Sequence, residues 1–136
     1  MFIAASLLAS FSVVPPITLA MVERPAADLA PGIGDAYCAA KAALRSYTRT
    51  WTREFNDRGI RFNTLSPGPI DTPILDGQAG SVEAANEIKA QLVAEVPLNR
   101  LGRPDEIAAA ALFLASDDSS FVAGAELSVD GGQAQV

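Results

Sequence analysis

The chain has 136 residues, the size of one ordinary domain, and its 49% apolar and 19% charged content excludes a disordered tail or a strongly amphipathic chain. A net charge of −6 argues against nucleic acid as a partner, since phosphate backbones call for clustered Lys and Arg. With no histidine and Cys38 as the one cysteine, an internal disulfide, a zinc cluster and a Ser-His-Asp triad are all excluded, so no metal site is expected and acid–base chemistry falls to Tyr, Lys, Asp, Glu or Cys.

Residues 1–22 carry no charge and are mostly apolar. They lack the basic start of a signal peptide. Pro15-Pro16 and the hydroxyls of Ser6, Ser10, Ser12 and Thr18 interrupt the run of about 20 apolar residues that a membrane span needs. The expectation is therefore no membrane association and a cytoplasmic location, with which a single cysteine agrees. Residues 23–35 read as loop, punctuated by Pro25, Pro31, Gly32 and Gly34. The pattern becomes regular at Ala36, which divides the chain into an atypical segment 1–35 and an ordered unit 36–136.

Residues 36–57 are predicted to be a long helix, with Tyr37, Ala40, Leu44, Tyr47, Trp51 and Phe55 recurring on one face. Asp35 is placed to cap it and Gly59 to stop it. Ile60–Leu65 alternates as a strand does and ends at Ser66-Pro67-Gly68-Pro69. Residues 69–80 read as loop, and Val82–Ala94 as a polar helix with Glu83 in its first turn. Pro104, followed by Asp105 and Glu106, opens a helix to about Ser116, apolar at Ile107, Ala108, Ala111, Leu112 and Ala115. A short strand, Glu126–Val129, closes at Gly131-Gly132. This alternation predicts an α/β fold, a unit at one edge of a parallel sheet with too few strands for a complete doubly wound domain.

Tyr37 and Lys41 stand four residues apart on the predicted helix, which puts their side chains on one face, roughly 6 Å apart. An ammonium beside a phenol favours phenolate and brings proton exchange closer to neutrality, and its donors can hold a diol such as a ribose. Cys38 points away from that face and is read as a packing residue.

The pair opens Tyr-Cys-Ala-Ala-Lys-Ala-Ala-Leu. Residues 60–73 follow as Ile-Arg-Phe-Asn-Thr-Leu-Ser-Pro-Gly-Pro-Ile-Asp-Thr-Pro, then Leu101-Gly102-Arg103-Pro104-Asp105-Glu106-Ile107, Phe121-Val122-Ala123-Gly124 and Val129-Asp130-Gly131-Gly132. In this order and spacing the segments resemble the C-terminal half of the short-chain dehydrogenase/reductase family. The resemblance implies a partial Rossmann-like, doubly wound parallel sheet of which only the C-terminal strands and helices are present. It implies Tyr37 as acid/base and as a cofactor-binding residue, and Lys41 as its partner and ribose ligand. It also implies Pro67-Gly68 as the turn alongside the nicotinamide, and Ile70 and Thr72 as contacts to the carboxamide. Residues 74–100 match the region that closes over substrate in the family.

Three departures accompany the resemblance. None of the ten glycines has the Gly-x-x-x-Gly-x-Gly spacing of a dinucleotide phosphate loop, so weak or absent binding of NAD or NADP by this chain alone is expected. The family's substrate-orienting serine falls thirteen positions before the tyrosine, and Arg24 stands there. Residues 1–35 resemble the family poorly, although Ile17–Val22 suits the strand before that serine. The resulting expectation is an NAD(P)-dependent oxidoreductase acting on a small alcohol or ketone, present as an incomplete fragment. The alternative is a non-catalytic remnant or interaction fragment. A homo-oligomer is expected, with Trp51 and Phe55 as contacts.

Overall fold

Three parallel strands, β1 (Ile17–Met21), β2 (Arg61–Pro67) and β3 (Glu126–Val129), lie side by side in that order, in a computed structural model that describes residues 17–21 and 33–134. Register runs from Ile17 opposite Arg61 to Met21 opposite Leu65, and from Thr64 opposite Glu126 to Pro67 opposite Val129. The connections between strands hold α1 (Ile33–Glu54), α2 (Pro73–Gln78), α3 (Val82–Ala94) and α4 (Pro104–Ala115). The expected α/β unit with a parallel sheet is therefore present.

β2 lies in the middle, and Phe62 to Pro67 are all buried, as a parallel strand covered on both faces requires. Its alternation sorts the two layers. Phe62 and Thr64 face α1: the Phe62 ring meets Trp51 at 5.6 Å and Phe55 at 5.8 Å, and the hydroxyls of Thr48 and Thr64 are 2.9 Å apart. Asn63 and Leu65 face the other way. Asn63 donates to the Val122 carbonyl at 2.9 Å, and Leu65 packs with Ile107 and Leu114 of α4. Arg61 ties the same layer down by donating to the carbonyls of Val122, Leu114 and Ser116.

The sequence reading needs several corrections. The helix of Tyr37 begins earlier than expected, so Ile33, Gly34 and Asp35 belong to α1 and Asp35 is not its cap. It also ends at Glu54, and Asn56–Arg58 form a 3-10 turn closed by Gly59 at φ 65°. The left-handed backbone at Gly59 suits a residue without a side chain. Residues 69–80 are not all loop: Pro73, with its fixed φ and missing N–H, starts α2. On α4 the inner face is Ile107, Ala110, Ala111 and Leu114, whereas Ala108 and Leu112 are exposed. Cys38, expected as a packing residue, is exposed. Trp51 and Phe55, expected as contacts to a second copy, pack on Phe62 within the chain and stay partly exposed, and Tyr47, stacked on Trp51, is exposed. Residues 1–16 and 22–32, including Arg24 and most of the segment expected as loop, lie outside the described residues. No helix among the described residues is long and apolar enough to cross a membrane.

Glu106 fastens the start of α4. Its carboxylate accepts from Arg100 Nη1 at 2.8 Å and Nη2 at 2.7 Å, and from the Arg103 backbone N–H at 2.7 Å. These bonds, Arg100's first, lower its pKa from 4.5 to about 2. A depressed carboxyl contributes stability that is complete above the unfolded value and lost as pH falls through the folded one. The melting-temperature difference between wild type and Glu106→Gln should therefore be full above pH 4.5 and vanish as pH falls through about 2. A difference independent of pH across that window would contradict the assignment.

Candidate functional site

α1 runs antiparallel to β2. Thr52 Oγ1 lies 3.4 Å from the Phe62 carbonyl and Thr48 Oγ1 lies 2.9 Å from Thr64 Oγ1. From Thr48 back to Lys41 the helix rises roughly 10 Å, and from Thr64 to Pro67 the strand advances roughly 10 Å. Lys41 thus draws level with Pro67-Gly68 at the C-terminal end of β2, and Tyr37 stands one turn beyond. The Lys41 ammonium lies 5.2 Å from the centre of the Tyr37 ring, within cation–π range, and both side chains are half-buried. One turn on, Arg45 Nε sits 2.7 Å from Glu126 Oε1. The same oxygen accepts from Ser66 Oγ at 2.7 Å. This joins α1, β2 and β3 immediately behind the Tyr–Lys pair.

Pro67 ends β2 in register with Val129, and the Gly68 N–H donates to the Val129 carbonyl at 3.1 Å. A Cβ at Gly68 would lie 2.6 Å from Asp130 Cα and 2.8 Å from Asp130 Cβ. The close approach of β3 is therefore enough to require glycine there. Asp130 in turn accepts from the backbone N–H groups of Gly132 and Ala134.

Ile70 forms an isolated parallel bridge to Gly102. The bonds of that bridge run from Asp71 N–H to the Gly102 carbonyl and from Gly102 N–H to the Pro69 carbonyl, each 2.9 Å. They leave the N–H and C=O of Ile70 itself outside the bridge. Thr72 occupies the N-cap position of α2, but its hydroxyl makes no capping bond. A donor and an acceptor from Ile70 and a hydroxyl from Thr72 are what a primary amide needs for recognition. A cleft of about 620 Å³ opens beside this turn, between Pro69, Ile70, Val96, Leu98, Ile107, Val129 and the Asp130–Gly132 turn. Neither Tyr37 nor Lys41 belongs to its wall.

The six expected site residues fall into three places: Tyr37 and Lys41 on α1, Pro67 and Gly68 at the end of β2, and Ile70 and Thr72 on the segment leading into α2. Sequence reading missed what holds the third place. Lys89 on α3 contacts Asp71 Oδ1 at 3.0 Å and Asp76 Oδ1 at 2.9 Å. The available signal was that Lys89, one of two lysines in the chain, has no acidic residue three or four positions away on its own helix.

Residues 17–134 match the family model described as enoyl-(acyl carrier protein) reductase. Oxidoreductase asL5 of Sarocladium schorii is 46% identical over 101 residues, which cover 74% of this chain and 38% of that protein. The 2,5-dichloro-2,5-cyclohexadiene-1,4-diol dehydrogenase LinX of Sphingobium indicum is 41% identical over 103 residues, covering 75% of this chain and 39% of that protein. The ligand-free structure of Thermoplasma acidophilum aldohexose dehydrogenase superposes with a TM-score of 0.79 at 27% identity, covering 91% of this chain and 50% of that one. The chain thus spans about two fifths of the length of these curated relatives and half of the solved structure. A model match across nearly all described residues, together with the parallel sheet and the Tyr37–Lys41 helix beside it, means that this chain belongs to the short-chain dehydrogenase/reductase family.

Proposed function

We propose that the chain carries the proton-transfer and nicotinamide-side part of an NAD(P)-dependent oxidoreductase acting on a small alcohol or ketone. The observation that carries this reading is the Tyr37–Lys41 pair, one turn apart on α1 and level with the Pro67-Gly68 end of β2. In the proposed reaction the Tyr37 hydroxyl passes a proton to the carbonyl oxygen, or receives one from the alcohol. Lys41 keeps positive charge beside that hydroxyl and offers donors to a ribose diol. The backbone of Ile70 and the hydroxyl of Thr72 fit a carboxamide and would hold it. A bound nicotinamide supplies or accepts the hydride. Gly68 enters through packing, since Asp130 already requires it.

The relatives extend well beyond the length matched here, and no glycine-rich phosphate loop occurs in the sequence. A complete reaction therefore calls for a cofactor half joined to this chain. Without it, the chain is a non-catalytic fragment. Association with a second copy forms part of the same proposal, with exposed Tyr47 as a contact.

Lys41→Met tests the assignment in this chain joined to a family-type cofactor half. Loss of a charged hydrogen-bond donor to the ribose should raise the KM for cofactor about tenfold or more, with kcat falling as well. Unchanged KM and kcat would sink the role given to Lys41.

A further inference from the structure

α2 and α3 pack on each other, and among the described residues no other helix or strand shares a comparable interface with either of them. The Ile70–Gly102 bridge closes the base of this helical hairpin, and Val96 against Gly131 and Gln133 Nε2 donating to Glu95 Oε2 hold its exit beside the turn that follows β3. The Lys89 side chain is 25% exposed and reaches from the middle of α3 to two carboxylates at once. Asp76 belongs to α2. Asp71 lies between Ile70 and Thr72, and its N–H is already bound to the Gly102 carbonyl. The Lys89 pKa is raised, through hydrogen bonds to Asp76 first and Asp71 second.

We propose that Lys89 is a positioning residue: by bridging Asp71 and Asp76 it latches the α2–α3 hairpin and fixes the Ile70–Thr72 segment that leads into it. The functional value of that segment rests on the nicotinamide-side reading above. The latch itself does not. Exposed ion pairs add little to global stability. A hairpin with few contacts to the sheet, however, opens locally at low cost, and a modest tether then governs how often it opens. Asp71 is the feature that makes this more than a helix–helix tie, because the same ammonium that closes α2 onto α3 sets the backbone between Ile70 and Thr72.

Amide hydrogen exchange on the full chain tests the latch. Lys89→Met removes the charge and keeps the length, so amides of residues 71–78 should exchange about three- to tenfold faster, as local opening loses its tether. Amides of β2 and α1 should keep their rates. Asp76→Asn, which leaves Lys89 in place, should accelerate the same segment, and Lys89→Arg should restore slow exchange. Added salt should speed exchange there in wild type and leave Lys89→Met unaffected, because only wild type has an ion pair to screen. Unchanged exchange at 71–78, acceleration spread equally over β2, or no rescue by Lys89→Arg would overturn the proposal. None of these readouts needs cofactor or turnover, so the latch can fail while the Tyr37 chemistry stands, and the reverse.

Discussion

Leu65→Ala should lower stability more than any other single truncation among the described residues. Leu65 is fully buried in the central strand and packs on Ile107 and Leu114, which attach α4 to the sheet. Truncating a buried leucine costs about 2–5 kcal/mol when the surroundings cannot close the cavity. Here they cannot: β2 is hydrogen-bonded to strands on both sides, and Arg61 fixes the end of α4 through the Leu114 and Ser116 carbonyls and the segment after it through Val122. An ordinary domain holds only about 5–15 kcal/mol in total, and the buried apolar side chains among the described residues are few, Phe62, Leu65, Val96, Ile107 and Leu114 chief among them. The variant should therefore be substantially unfolded or melt far below wild type. Ile107→Val, which removes one methyl group from the same cluster, should cost about 0.5–1.5 kcal/mol. Denaturant unfolding of the two variants beside wild type measures both. A Leu65→Ala midpoint close to that of wild type would show that α4 and β2 do not share one core.

The strands and helices with strong periodicity were legible in the sequence, and the reason is local. Val82–Ala94 follows Ser81, whose side chain accepts from the Ala84 N–H. Pro104 and Glu106 mark the start of α4, and Gly59 marks the stop after Phe55. Short or tertiary-driven features were not legible. The six residues of α2 give no period to read, and Pro73, inside the stretch read as loop, begins the helix. Ala108 and Leu112 fit an apolar stripe, yet the sheet meets α4 along Ile107, Ala111 and Leu114. The Tyr37–Lys41 pair could be read from spacing. Its alignment with Pro67 depends on Thr48 and Thr52 meeting β2, which spacing alone does not give. Lys89 was invisible as a partner of Asp71 and Asp76, because the contact joins two helices and a loop.

Tyr37→Phe should abolish catalysis in a protein assembled to be active, and the expected loss is large because in the proposed reaction one oxygen atom carries the proton. The substitution leaves the ring beside Lys41 and removes only the hydroxyl, so the cation–π contact and the course of α1 remain. Positioned general acid–base groups contribute about a hundred- to ten-thousandfold, and parts that act as a unit lose nearly everything when one is removed. The resemblance puts Arg24 where the family has its orienting serine, and a long charged side chain is a poor substitute for that hydroxyl, so the assembled protein should also carry Arg24→Ser. The decisive measurement is cofactor-dependent reduction of a panel of small ketones by this chain joined to a family-type cofactor half, with and without Tyr37→Phe. The account predicts turnover with Tyr37 present and turnover at background with Tyr37→Phe, while the folded state stays unchanged. Turnover undiminished by Tyr37→Phe would contradict the assignment of Tyr37 as the proton donor.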